Sequence, residues 1–321
     1  MIKINRDFIQ LAEEHRKKLK SAYNIKKDIK DKVASESGKL KYFYKFLQIN
    51  LDLILTANPS QISNKIIPRV KFILGSEFFT TDKETNKSHI NVLKKIFDYD
   101  LFAKHKKKYC AYSLVQTLKI NVCPYCNRQY ITTLEPIDNK GGTRPTLDHF
   151  YLKSDYPYLA LSFWNLIPSC YSCNSQLRGT KKIGLHPYIQ GFEGILHFYT
   201  DINSVDDFIS HAKKNINLKL LACKKSTPDV IDLANAKLNC NVFRLDDIYK
   251  QNHKDDVREL IQKAVIYDKS FSKSLYNQFD YLFDSEEDAR KTMLRNYTSI
   301  DDLEKRPLAK LTKDICEELG I

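Results

Sequence analysis

Two Cys-x-x-Cys pairs, Cys123/Cys126 and Cys170/Cys173, flank an Asp148-His149 dipeptide, and the second pair runs directly into Asn174. Cysteines two residues apart can place both thiolates on one ion. Two such pairs supply the four sulfurs of a closed tetrahedral zinc site, whose expected role is structural because no position is left for water or substrate. The 43 residues between Cys126 and Cys170 exceed the usual finger spacing, so the insert is expected to carry chemistry of its own. Two other readings compete. Cys123-Pro124-Tyr125-Cys126 has the form of a redox pair, but that chemistry needs a following helix N-terminus to lower the thiol pKa, and the run Gln129 to Leu134 reads as β-rich. A zinc ribbon that only binds nucleic acid is the second alternative, and the long insert speaks against it.

Within the insert, Thr146 to Phe150 reads as a strand whose end presents an acid and an imidazole side by side. A polar loop, Lys153 to Pro157, leads to a second apolar run, Tyr158 to Trp164, expected as the partner strand and ending at Asn165. The stretch from Cys173 to Arg178 reads as a short helix with Gly179 as its stop. The expected order is strand, loop, strand, helix.

In these residues the segment from about Cys123 to His186 resembles the zinc-containing HNH, or ββα-metal, endonucleases, with His149, Asn165 and Asn174 at the three motif positions. It is most similar to HNH proteins of the Septu type from prokaryotic anti-phage systems, in Leu161 to Cys170, His186-Pro187-Tyr188 and Arg306 to Lys310. The resemblance implies a metal-dependent DNA endonuclease, an ATPase partner protein and a role in defence. It also implies a loop braced by the Asn165 amide. A non-catalytic zinc module that binds nucleic acid and an RNA-directed HNH nuclease are the alternatives.

The chemistry makes matching demands. Phosphodiester hydrolysis needs an activated water and a cation on the scissile phosphate, held in line. His149, with an ordinary pKa of about 6.5, suits the general base. Asp148 and Asn174 offer hard oxygen ligands for a magnesium or manganese ion, while the thiolates would take zinc. Strand alternation turns neighbours to opposite faces, so a local break after Leu147 is expected if Asp148 and His149 are to meet one phosphate. His186 stays outside the catalytic set. Arg178, Lys181 and Lys182 are read as phosphate contacts or as a solvated helix end.

The elements around this core must be mostly helical. Phe8, Leu11, Ala12, His15 and Leu19 recur at helical spacing, as do Val257, Leu260, Ile261 and Ala264, and Leu40 to Leu55 and His89 to Phe102 also read as helices. Ile195 to Tyr199 and Asn217 to Ala222 read as short strands. The expected class is α+β, mainly helical, with a central zinc-stapled ββα-metal core. Of the net charge of +13, residues 1–122 carry 25 Lys+Arg against 12 Asp+Glu, whereas residues 123–190 come to +3 and 191–321 to −3. This divides the chain into a basic helical region (1–122), the HNH core (123–190) and a mainly helical C-terminal region (191–321) suited to docking a partner. Clusters such as Arg16-Lys17-Lys18, Lys26-Lys27 and Lys104 to Lys108, interleaved with Tyr42-Phe43-Tyr44 and Tyr109, are candidate DNA-backbone contacts. No run approaches the roughly 20 apolar residues of a membrane span. Cys110, Cys223, Cys240 and Cys316 are dispersed like buried thiols of a reducing compartment, so the expected location is cytoplasmic, with no membrane partner.

Overall fold

The computed structural model describes residues 1–79, 84–137, 140–200, 202, 216–267 and 270–320. Its helices outweigh two small antiparallel ribbons, so the protein is α+β and mainly helical. The chain forms two compact units, one gathering residues 6–119 and 131–174 and the other 1–5, 120–130 and 175–321. Each draws on more than one of the three regions delimited by charge.

The first unit begins with α1 (Phe8–Ala22), whose N-terminus is closed by Asp7 accepting from the Gln10 amide at 3.0 Å. Its apolar stripe buries Phe8, Ala12, His15 and Leu19. The expected helix over Leu40 to Leu55 is two, α3 (Gly38–Ile49) and α4 (Leu51–Thr56), because Asn50 turns its side-chain amide back onto the Phe46 carbonyl. Likewise His89 to Phe102 divides into α7 (Lys87–Ile96) and α8 (Tyr99–Ala103), the second opened by Asp98 capping the Leu101 amide. α2 (Ile25–Ser35) precedes α3; α5 (Pro59–Gln61), a π turn over Ile62–Ile66 and α6 (Ile67–Leu74) lie between α4 and α7, and α9 (Ala111–Leu118) follows α8.

This helical set packs an aromatic core that includes Phe43, Phe102, Tyr158 and Phe163. Against it lies the ribbon of β1 (Thr146–His149) and β2 (Leu166–Ser169). The second strand is therefore not Tyr158 to Trp164, which forms two tight 3₁₀ turns, Pro157–Leu159 and Phe163–Asn165. Pro168 argues against a strand in sequence, yet a two-stranded ribbon is all edge, so its missing N–H costs no ladder bond there.

In the second unit, β3 (Leu196–Tyr199) pairs with β4 (Lys219–Ala222), close to the expected strands. The helix Ala309–Leu319 packs along β3, with Asp314 accepting from the Phe198 amide at 2.9 Å. Residues 120–130 lie inside this unit. Tyr125 stacks on Phe243 with ring centroids 4.4 Å apart, and the Tyr249 hydroxyl donates to the Cys126 carbonyl at 2.7 Å. No helix among the described residues is long and apolar enough to cross a membrane.

Candidate functional site

β1 and β2 pair without a bulge, matching Thr146 to Ser169, Leu147 to Pro168, Asp148 to Ile167 and His149 to Leu166. The expected break after Leu147 does not occur. The ladder runs through His149, and the side chains of Asp148 and His149 leave the ribbon on opposite faces. The chain bends only at Phe150, whose amide donates to the Asn165 carbonyl at 3.1 Å.

Asn165 is fully buried and its amide is committed at both ends. Oδ1 accepts from the Tyr151 N–H at 2.6 Å, while Nδ2 donates to the carbonyls of Tyr151 at 3.0 Å and Leu159 at 2.9 Å. One side chain thereby ties the start of the loop after β1 to its end.

His149 and Asp148 are both buried. His149 Nε2 lies 3.0 Å from the Ala160 carbonyl oxygen. A carbonyl only accepts, so this bond puts the ring proton on Nε2 and makes Nδ1 the basic nitrogen of the neutral imidazole. The Tyr99 ring meets His149 edge-on with centroids 4.5 Å apart, and burial pushes the Tyr99 phenol up to about 12, keeping it neutral. Tyr99 and Ala160 also line a pocket whose rim carries Lys94, Lys153 and Ser154. Lys153 Nζ sits 4.6 Å from the centre of the Tyr99 ring and 3.7 Å from an Asp100 carboxylate oxygen. Tyr99 and Lys94 carried no local signal in the sequence, because they lie some fifty residues before the motif and reach it only through the fold.

Asn174 follows Cys173 at the start of a π-helical stretch, Ser172–Arg178, that ends at Gly179 with φ +53°. Gly179 stops the helix as expected, since a left-handed residue there needs no Cβ. Arg178 is not a surface phosphate contact. It is fully buried, with Nε donating to the Lys181 carbonyl at 3.3 Å; Lys181 and Lys182 are exposed. His186 is also buried, its Nδ1 accepting from the Tyr188 amide at 3.2 Å.

The first Cys-x-x-Cys pair sits in a tight turn and the second leads into the π-helical stretch. After Cys123, the Asn127 amide returns to the Cys123 carbonyl at 2.8 Å, and Asn127 takes a left-handed φ of +51°. No helix starts there, so the feature that would activate a redox thiol is missing. In the other pair the Cys173 amide points at Cys170 Sγ at 3.4 Å. All four cysteines are buried and unbridged, and their sulfurs lie within 4.8 Å of one another. Tetrahedral zinc with bonds of about 2.3 Å requires sulfurs about 3.8 Å apart, so the donor set fits a zinc ion.

The basic clusters differ among themselves. Lys104 and Lys106 to Lys108 are exposed, whereas Arg16 is held by Glu13 at 2.7 Å and Asp52 at 2.9 Å. Of Tyr42-Phe43-Tyr44, only Tyr42 is exposed. No family model, curated protein or solved structure matches the chain.

Proposed function

We propose that this protein is a metal-dependent endonuclease of the HNH type that hydrolyses DNA phosphodiester bonds. The observation that carries the reading is His149 at the end of a strand, with Nε2 tied to a backbone carbonyl and the following loop locked by Asn165. A ring oriented in this way presents Nδ1 as the base that takes a proton from the attacking water. Asn165 acts as a positioning residue. Lys94 and Lys153, on the rim of the adjacent pocket, supply positive charge for a phosphate.

Asp148 and Asn174 are the side chains proposed to hold magnesium or manganese, which would neutralise charge on the leaving oxygen. Asp148 and His149 leave opposite faces of the regular ribbon, so this reading requires the ribbon to open locally when DNA binds for both to serve one phosphate. The four cysteines would hold the structural zinc. The similarity to Septu-type proteins adds the proposal of an ATPase partner and a role in anti-phage defence. Co-expression with a neighbouring ATPase, followed by size-exclusion chromatography, reads that partner directly.

The test of the chemistry is cleavage of plasmid and linear DNA in magnesium or manganese, with an RNA control. His149→Ala should lose at least about 10²-fold in rate while keeping its zinc and fold. Asp148→Ala should also fail, but with a changed dependence on metal concentration. Normal cleavage by His149→Ala would overturn the mechanism, and preferential cleavage of RNA would overturn the substrate.

A further inference from the structure

Away from His149, α3 and α6 enclose an open groove lined by Lys39, Tyr42, Lys45, Ile49, Arg69 and Phe72. Its rings and its aliphatic residue are unusually bare: Tyr42 is 70% exposed, Ile49 71% and Phe72 79%. Such exposed apolar surface marks an interaction site more often than idle surface. The two segments that line it carry charge of one sign. Residues 38–50 carry Lys39, Lys41 and Lys45, residues 59–75 carry Lys65, Arg69 and Lys71, and neither stretch contains an Asp or Glu. The Arg69 guanidinium carbon lies 5.3 Å from the centre of the Phe72 ring, so this cation is already held beside an aromatic face.

We infer that this groove binds single-stranded polynucleotide, with phosphates on Lys39, Lys45 and Arg69 and unpaired bases against Tyr42 and Phe72. Along α3 the cations and apolar side chains alternate, Lys39, Tyr42, Lys45, Ile49, at spacings that keep them on one side of the helix. A polynucleotide offers the same alternation of charge and ring. An acidic amphipathic helix would instead require an unbroken apolar trough with its cations at the rim. Duplex DNA keeps its bases stacked internally and would leave Tyr42 and Phe72 unused. Stacking on exposed rings beside cations is how single strands are held without sequence preference.

The inference extends the nuclease reading by naming a ligand, and its test reads binding instead of cleavage. Fluorescence anisotropy of labelled oligo-dT, oligo-rU, a duplex and a poly-glutamate peptide would be measured with the full chain carrying His149→Ala. Oligo-dT or oligo-rU should bind more tightly than duplex and peptide, and the pair of them decides between DNA and RNA. Tyr42→Ala and Phe72→Ala should each weaken single-strand binding about 5- to 150-fold. The triple variant Lys39→Ala, Lys45→Ala, Arg69→Ala should flatten the log–log salt dependence by about 0.7 for each phosphate that is no longer neutralised. All five positions are exposed, so circular dichroism should be unchanged. Unchanged oligonucleotide affinity in the Tyr42→Ala, Phe72→Ala double variant overturns the inference, and tighter binding of poly-glutamate would assign the groove to an acidic polypeptide. Groove-dependent binding without any cleavage by the wild-type chain would leave the groove standing and remove the nuclease reading.

Discussion

His15 illustrates how a buried titratable residue can be read from its partners alone. Its Nε2 faces the Leu161 carbonyl at 2.8 Å, which accepts, so Nε2 carries the proton; Nδ1 then accepts from the Tyr109 hydroxyl at 2.6 Å. The neutral ring is fully satisfied, and the imidazolium would have to turn the Tyr109 hydroxyl from donor to acceptor. Burial lowers its pKa to about 4, helped by the charge of Lys18 and opposed by the Leu161 carbonyl. Between the ordinary value of 6.5 and about 4 the unfolded chain binds more protons than the folded one. Stability from this residue is therefore complete above about pH 6.5 and lost as pH falls toward about 4. At about pH 4.5 the expected loss is about 2 to 3 kcal/mol. Urea midpoints of wild type and His15→Gln at about pH 7 and about pH 4.5 check this, and the variant should show a smaller drop between the two. An equal drop in both would place the acid sensitivity elsewhere. His149 follows the same logic with a different use, since its carbonyl partner also fixes a tautomer, here in a ring we propose to be catalytic. The Asn165 brace beside it makes three hydrogen bonds from a fully buried side chain, so Asn165→Ala should cost at least about 2 kcal/mol.

Among the elements, what was legible in the sequence was whatever rests on local chemistry. Thr146 to Phe150 announced a strand, Gly179 a stop, and the two Cys-x-x-Cys pairs a metal-sized cluster; the structure has each of them, the strand ending one residue earlier at His149. The partner strand was misplaced because an apolar run buried on every side has no period to distinguish strand from turn, while Pro168 disguised the real one. Tyr99, Lys94 and the Ala160 carbonyl were invisible because only packing brings them to His149 or to the pocket beside it. The cysteine cluster yields a prediction at this scale. Four buried thiolates held this close repel one another unless a cation neutralises them, so folding and metal binding should be coupled. We expect one zinc per chain by mass spectrometry, with about 10 kcal/mol or more of binding free energy entering the fold. Cys170→Ser should abolish folding. A folded, monodisperse chain without zinc would refute the site.

At the scale of the whole molecule, the division of the chain decides how it can be dissected. Residues 191–321 are not an appendage, because they share a compact unit with residues 1–5 and 120–130. Asn127 makes this concrete. Its left-handed backbone turns three polar groups toward the C-terminal residues: its carbonyl accepts from the Leu308 amide at 2.6 Å, Oδ1 accepts from the Lys310 amide at 2.9 Å, and Nδ2 donates to the Leu303 carbonyl at 2.9 Å. Lys310 in turn is buried, pairing with Asp314 and donating to the Leu196 carbonyl. Cutting the chain after residue 190 would strip all of these and uncover Tyr125 and the Cys126 carbonyl. Each buried polar group left without its partner costs about 1–3 kcal/mol, and several together exceed a typical margin of stability. A 1–190 fragment should therefore keep part of its helical signal from residues 6–119, yet aggregate and retain less than one zinc. Circular dichroism, size-exclusion chromatography and metal analysis of the fragment check this together. A monodisperse, zinc-loaded 1–190 chain with a single unfolding transition would show that the C-terminal residues are dispensable to the fold, and only then could their loss be used to map where a partner docks.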